Sequence, residues 1–140
     1  MRADNRRHVL DANVILRHLV NDSPELARKA RAVFQKAAQD AITLVCDPVT
    51  LAEVVWVLES FYQIPRGQIA EELTTFLAAP EITIVDKELY LTALRLYEEA
   101  VPHFGDACAC AAAMKTAEGR LISFDKKLSK VAGVNRMEAV

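Results

Sequence analysis

Four short apolar runs punctuate the chain: His8-Val9-Leu10, Ile42-Thr43-Leu44-Val45-Cys46, Ile82-Thr83-Ile84-Val85 and Leu121-Ile122-Ser123-Phe124. A fifth candidate lies near Val134. The runs are continuous rather than alternating, the pattern of parallel strands covered on both faces. Between them the apolar positions follow helical spacing. Ser23-Pro24 and Asp47-Pro48 each set a capping residue before a proline, predicting helices that reach about Asp40 and Tyr62. Pro65 starts another that ends before Pro80. Asp86 caps one running to about Ala100, and Gly105-Asp106 opens one that stops before Gly119. Strands alternating with helices predict an α/β fold, a parallel sheet of four to five strands with right-handed crossovers. Ligands bind such a sheet at the edge where the strands' C-terminal ends gather.

Composition narrows the picture. At 140 residues and 52% hydrophobic content, the chain is the size of one domain with a real core. We expect a basic arm over residues 1–7 and a single domain over 8–140. Charges interrupt every apolar run well short of the roughly 18 residues a membrane helix needs. The run after the basic N-terminus stops at Asp11, too soon for a signal peptide. The expectation is a cytoplasmic protein. Its 17 basic and 19 acidic residues leave a net charge of −2, so only a local cluster would favour nucleic acid. Three cysteines argue against a disulfide framework. Cys108 and Cys110, two apart on a helix, point to nearly opposite sides and do not share a zinc ion. All three read as small buried hydrophobes. His8, His18 and His103 are scattered, with no zinc-ligand spacing.

The chemistry concentrates in four carboxylates. Asp11 ends the first strand and stands at the start of a helix, where it also suits an N-cap. Glu53 lies in "PVTLAEVVWVLESF", a helix apolar around its circumference, with Val49 and Val57 one turn away and Trp56 three residues on. A helix of that kind is expected to be buried on most sides, with Trp56 in the core, and a lone carboxylate there needs a cation or a metal. Asp106 opens the small-residue helix "ACACAAAM", whose composition suits close packing. Asp125 follows the fourth strand and suits the cap of a short turn through Lys126, Lys127 and Leu128. Clustered carboxylates repel unless cations neutralise them. Hard divalent ions, Mg²⁺ or Mn²⁺, are the natural partners of an all-oxygen set, and such a site suits phosphodiester hydrolysis.

"VLDANVILRHL", "TLAEVVWVLES", "FGDACACAAA" and "LISFDKKL" resemble, in order, the motifs of PIN-domain proteins, above all VapC-type toxins of bacterial toxin–antitoxin pairs. The resemblance runs from about His8 to Val134. It implies a three-layer α/β/α sandwich and metal-dependent endoribonuclease activity. It implies that Asp11, Glu53 and Asp106 hold Mg²⁺ or Mn²⁺, with Asp125 as a fourth acid acting through water. Asn13 and Ser123 match polar positions that orient ligands, water or phosphate; capping and a strand hydroxyl are their alternatives. It further implies a homodimer, built largely on the helices from about Pro48 to Ala79, and a cognate antitoxin. RNA needs positive charge near the acids, for which Arg17, Lys115, Arg120, Lys126 and Lys127 are candidates. Two other readings compete: a PIN-like module that binds RNA or protein without cutting, and a phosphoacceptor receiver domain using Asp86. Against the second, the first strand ends in one acid rather than a pair, and two helices separate the second and third strands.

Overall fold

The computed structural model describes residues 6–39 and 42–140. The expected arm therefore lies outside the described residues except for Arg6 and Arg7, and Arg7 already belongs to the first strand. Two compact units divide the chain, one running to Val85 and one over Asp86–Val140.

The first unit contains β1 (Arg7–Val9), α1 (Ala12–Leu19), α2 (Pro24–Ala38), β2 (Thr43–Val45), α3 (Pro48–Ser60), α4 (Arg66–Ala78) and β3 (Ile82–Thr83). Its strands pair in parallel in the order β1-β2-β3, with His8 opposite Leu44 and Leu44 opposite Ile82. Backbone bonds carry the ladder past the strand ends, from Leu10 N–H to Val45 O at 2.8 Å and from Cys46 N–H to Thr83 O at 2.8 Å. Leu44, Leu51, Val54, Leu58, Ile69, Leu73 and Leu77 are fully buried and form the core of this unit. The Asp47 cap is realised: its carboxylate accepts from Val49 N–H at 2.8 Å, and Pro48 follows at the first helical position. Ser23 stands at the equivalent position of α2, but its hydroxyl makes no cap bond.

The second unit contains α5 (Lys87–Glu99), α6 (Phe104–Thr116), β4 (Arg120–Ile122), a 3₁₀ turn (Lys126–Lys130) and β5 (Asn135–Met137). The small residues of α6 let it pack along α5, as its composition predicted. Tyr97 is fully buried there and meets the edge of Phe104, with ring centroids 5.8 Å apart. Gly119 turns the chain from α6 into β4 at φ +85°. The near-final strand predicted around Val134 is β5, which pairs in parallel with β4. Arg136 ties the intervening turn down, donating to Ser123 O at 2.7 Å and Ser129 Oγ at 2.6 Å.

Two expectations about burial fail. Val9 of β1 and Ile122 of β4 are exposed rather than covered on both faces. Each sits in a three-residue strand at the outer position of its sheet, paired on one side only. On α3, Val49 and Trp56 are exposed as well, so this helix has an open side despite its apolar circumference. Only Leu51, Val54, Val55 and Leu58 of α3 are buried.

The cysteines do behave as small hydrophobes. Burial pushes the Cys46 and Cys108 thiols up to about 11, and raises Cys110 too. Thiolates are the reactive form, so all three are expected to alkylate slowly in the native protein at pH 8 and rapidly in guanidinium. Mass spectrometry after brief iodoacetamide treatment checks this. Full labelling of the native chain at the denatured rate would contradict it.

Candidate functional site

Asp11 follows β1 and occupies the N-cap position of α1 in an extended conformation. Its carbonyl accepts from Val14 N–H at 3.1 Å, yet its side chain makes no cap bond. The exposed carboxylate is thus not used in holding its own helix. Asn13 is exposed two residues on. Glu53 lies on α3, which packs against α1. It shares the open side with Val49 and Trp56 and is itself exposed, which corrects the expected burial. The charge of Glu53 is hydrated and needs no buried counter-ion. Trp56, expected in the core, stands in solvent with 67% of its surface exposed.

In the second unit, Asp106 sits half-buried in the first turn of α6, where a negative charge favours the helix N-terminus. It helps raise the Cys110 thiol one turn on, after burial itself. Asp125 caps the 3₁₀ turn as predicted, accepting from Lys127 N–H at 3.0 Å. The Ser123 hydroxyl accepts from Asp125 N–H at 3.1 Å, so this side chain fixes the backbone that presents Asp125. The Ser-x-Asp spacing is the sequence signal for that turn. Among the described residues, no group of three or more His, Cys, Asp or Glu side chains is gathered to hold a metal ion. Asp11 and Glu53 belong to the first unit, and Asp106 and Asp125 to the second.

The cation candidates separate clearly. Arg17 pairs with Asp22 at 2.7 Å, Lys115 with Asp86, and Arg120 with Glu118 at 3.3 Å. Lys126 and Lys127 are exposed and carry no ion pair among the described residues. Lys130, on the same turn, joins them and was not singled out from the sequence. Asp86 stands at the N-cap of α5 but in the left-handed region at φ +59°, without a cap bond. Its carboxylate is held by Lys115 instead.

A family model of the PIN domain matches residues 8–134. The chain belongs to the PIN-domain family. No curated protein and no solved structure matches it. The match runs through both units of this PIN domain and takes in all four carboxylates. The family's α/β sandwich is the fold class expected from the sequence, and the parallel strands with six helices agree with it. PIN domains are generally nucleases, typically dependent on divalent metals. The donors available in this PIN domain, carboxylate oxygens alone, fit a hard ion such as Mg²⁺ or Mn²⁺ and not zinc. No helix among the described residues is long and apolar enough to cross a membrane.

One polar network of the first unit has a pH signature. Asp22 accepts from Tyr62 Oη at 2.7 Å as well as from Arg17, linking the segment after α1 to the segment after α3. The tyrosine bond, then the arginine, lowers the Asp22 pKa, and the same bond raises that of Tyr62. A depressed carboxylate contributes stability above its unfolded pKa and loses it as the pH falls through the folded one. We expect Tyr62→Phe to lower the melting temperature at pH 7, with the difference from wild type shrinking as the pH falls through the acid range. A difference independent of pH would show that the Asp22 bond is not its source.

Proposed function

We propose that this PIN domain is a Mg²⁺- or Mn²⁺-dependent endoribonuclease, the VapC-type toxin of a type II toxin–antitoxin pair, acting in the cytoplasm. The observation that carries the reading is the family match over residues 8–134, which includes Asp11, Glu53, Asp106 and Asp125 together. Two of them bear on it individually. The Asp11 carboxylate is not used by its own helix, and Glu53 stands in solvent.

In this reading Asp11, Glu53 and Asp106 hold the metal, and Asp125 acts through water. When bound, the metal supplies a water of lowered pKa and polarises the scissile phosphate. The protein's own part is positioning. Ser123 fixes the Asp125 turn, and Asn13 is available to orient water or phosphate. Lys126, Lys127 and Lys130 follow Asp125 directly, so the backbone of an RNA substrate meets unpaired positive charge beside an acid.

The partners proposed are RNA, a cognate antitoxin and a second copy of the chain. Val49 and Trp56 of α3 with Phe61 just after it, 76%, 67% and 74% exposed, offer an apolar surface suited to a homodimer. The test is cleavage of total RNA by the purified, antitoxin-free protein in Mg²⁺, in Mn²⁺ and in EDTA. Fragments that require metal support the nuclease. An absence of cleavage in every condition, with no metal effect on the melting temperature, favours a PIN-like module that binds RNA or protein without cutting.

A further inference from the structure

A cavity of about 850 Å³ opens in the first unit where the end of α1, α2 and α4 face one another. None of the four proposed site carboxylates lines it, so it is independent of the nuclease reading. Its walls are of two kinds. Phe34 and Phe76 meet edge to face with ring centroids 5.8 Å apart, and His18 lies against Phe34 at 4.3 Å. Burial, then the charge of Arg31, lowers the His18 pKa, so the imidazole adds no positive charge at neutral pH. The α4 wall is acidic, with Glu71 and Glu72 on the helix and Glu81 beyond it.

Glu72 is the anomaly. One oxygen accepts from Gln68 Nε2 at 3.2 Å, while Oε2 is buried with no hydrogen-bond partner. A carboxylate oxygen withdrawn from water without a donor is costly, and native structures rarely keep one without a reason. Arg31 lines the same cavity but makes no ion pair with Glu72 among the described residues. The missing donor must therefore come from outside the chain. Aromatic faces beside it suit a cation too, because a ring's electron-rich face attracts positive charge.

We propose that this cavity binds a small organic cation, an ammonium or guanidinium group on an apolar stem, with the charged end donating to Glu72 and the stem lying on Phe34 and Phe76. An inorganic ion would use the carboxylates and leave the aromatic wall empty. A neutral hydrocarbon would leave Glu72 unsatisfied.

The test is a ¹H–¹⁵N NMR titration of the full chain with n-hexylammonium, and in parallel with 1-hexanol as its neutral counterpart. The ammonium is expected to shift the amides of Gln68, Glu72 and Phe76 in a saturable way, with hexanol at least ~5-fold weaker, a gap of about 1 kcal/mol. Glu72→Gln keeps the shape and the Gln68 neighbour but removes the charge, and should abolish the preference for the ammonium. Glu25→Gln, an exposed acid outside the cavity, should leave it intact. Equal binding of hexanol, an unchanged preference in Glu72→Gln, or no saturable shift would each overturn the proposal.

Discussion

Asp11→Ala is expected to lower metal-dependent RNA cleavage at least ~100-fold, since a metal site supplies several kcal/mol to the reaction and about 1.4 kcal/mol is tenfold in rate. The fold should survive. Asp11 occupies a cap position without making a cap bond, so alanine removes no hydrogen bond from α1. The contrast with Asp47 sharpens the point. Asp47 does bond Val49 N–H, and its alanine variant should lose roughly 1 kcal/mol of stability. Cleavage rates and melts of the two variants, each with and without millimolar Mn²⁺, separate the roles. Wild type and Asp47→Ala should cleave and be stabilised by Mn²⁺, and Asp11→Ala should do neither. Full activity in Asp11→Ala would remove Asp11 from the metal site.

The largest effect on stability is expected at Gly119. The residue is buried at φ +85°, and a Cβ built there would lie 2.2 Å from the carbonyl oxygen of Gly133. Its backbone is committed on both sides as well, with its N–H donating to Ala113 O at 2.8 Å and its carbonyl accepting from Asn135 N–H at 2.7 Å. Left-handed strain and the clash with backbone add, so Gly119→Ala should cost roughly 2–4 kcal/mol. That is a fall in melting temperature on the order of 10 °C. Gly67 is the control with the opposite sign. It lies in α4 at ordinary φ with open space around it, and alanine there should stabilise by up to about 1 kcal/mol. Equal melting temperatures for the two variants would refute the argument.

The sequence reveals local punctuation better than it reveals burial. Asp47-Pro48, the Asp125 turn and the small-residue face of α6 were all legible, because each depends on a few neighbouring residues. The open side of α3 was not. A helix with Val49, Val54, Trp56 and Val57 is apolar in every direction, and only its neighbours decide which of these reach solvent. Glu53 was singled out as an anomaly on the assumption that its helix was enclosed. The family match includes the residue, but its exposed setting differs from the one inferred. Asp86 shows the same limit. Its cap signal placed the helix start correctly, whereas the left-handed backbone and the Lys115 pair depend on α6, distant in sequence. Glu72 gave no signal at all, since an acid four residues after Gln68 on an amphipathic helix is unremarkable until its second oxygen is seen to be enclosed.

Between β4 and β5 lie residues 123–134, crossed by a single 3₁₀ turn instead of a helix. A parallel connection needs about a dozen residues, so this one is already near the minimum. Over evolutionary time the segment should therefore accept inserted residues readily and reject deletions. Length variation among natural variants here is expected to run in one direction only.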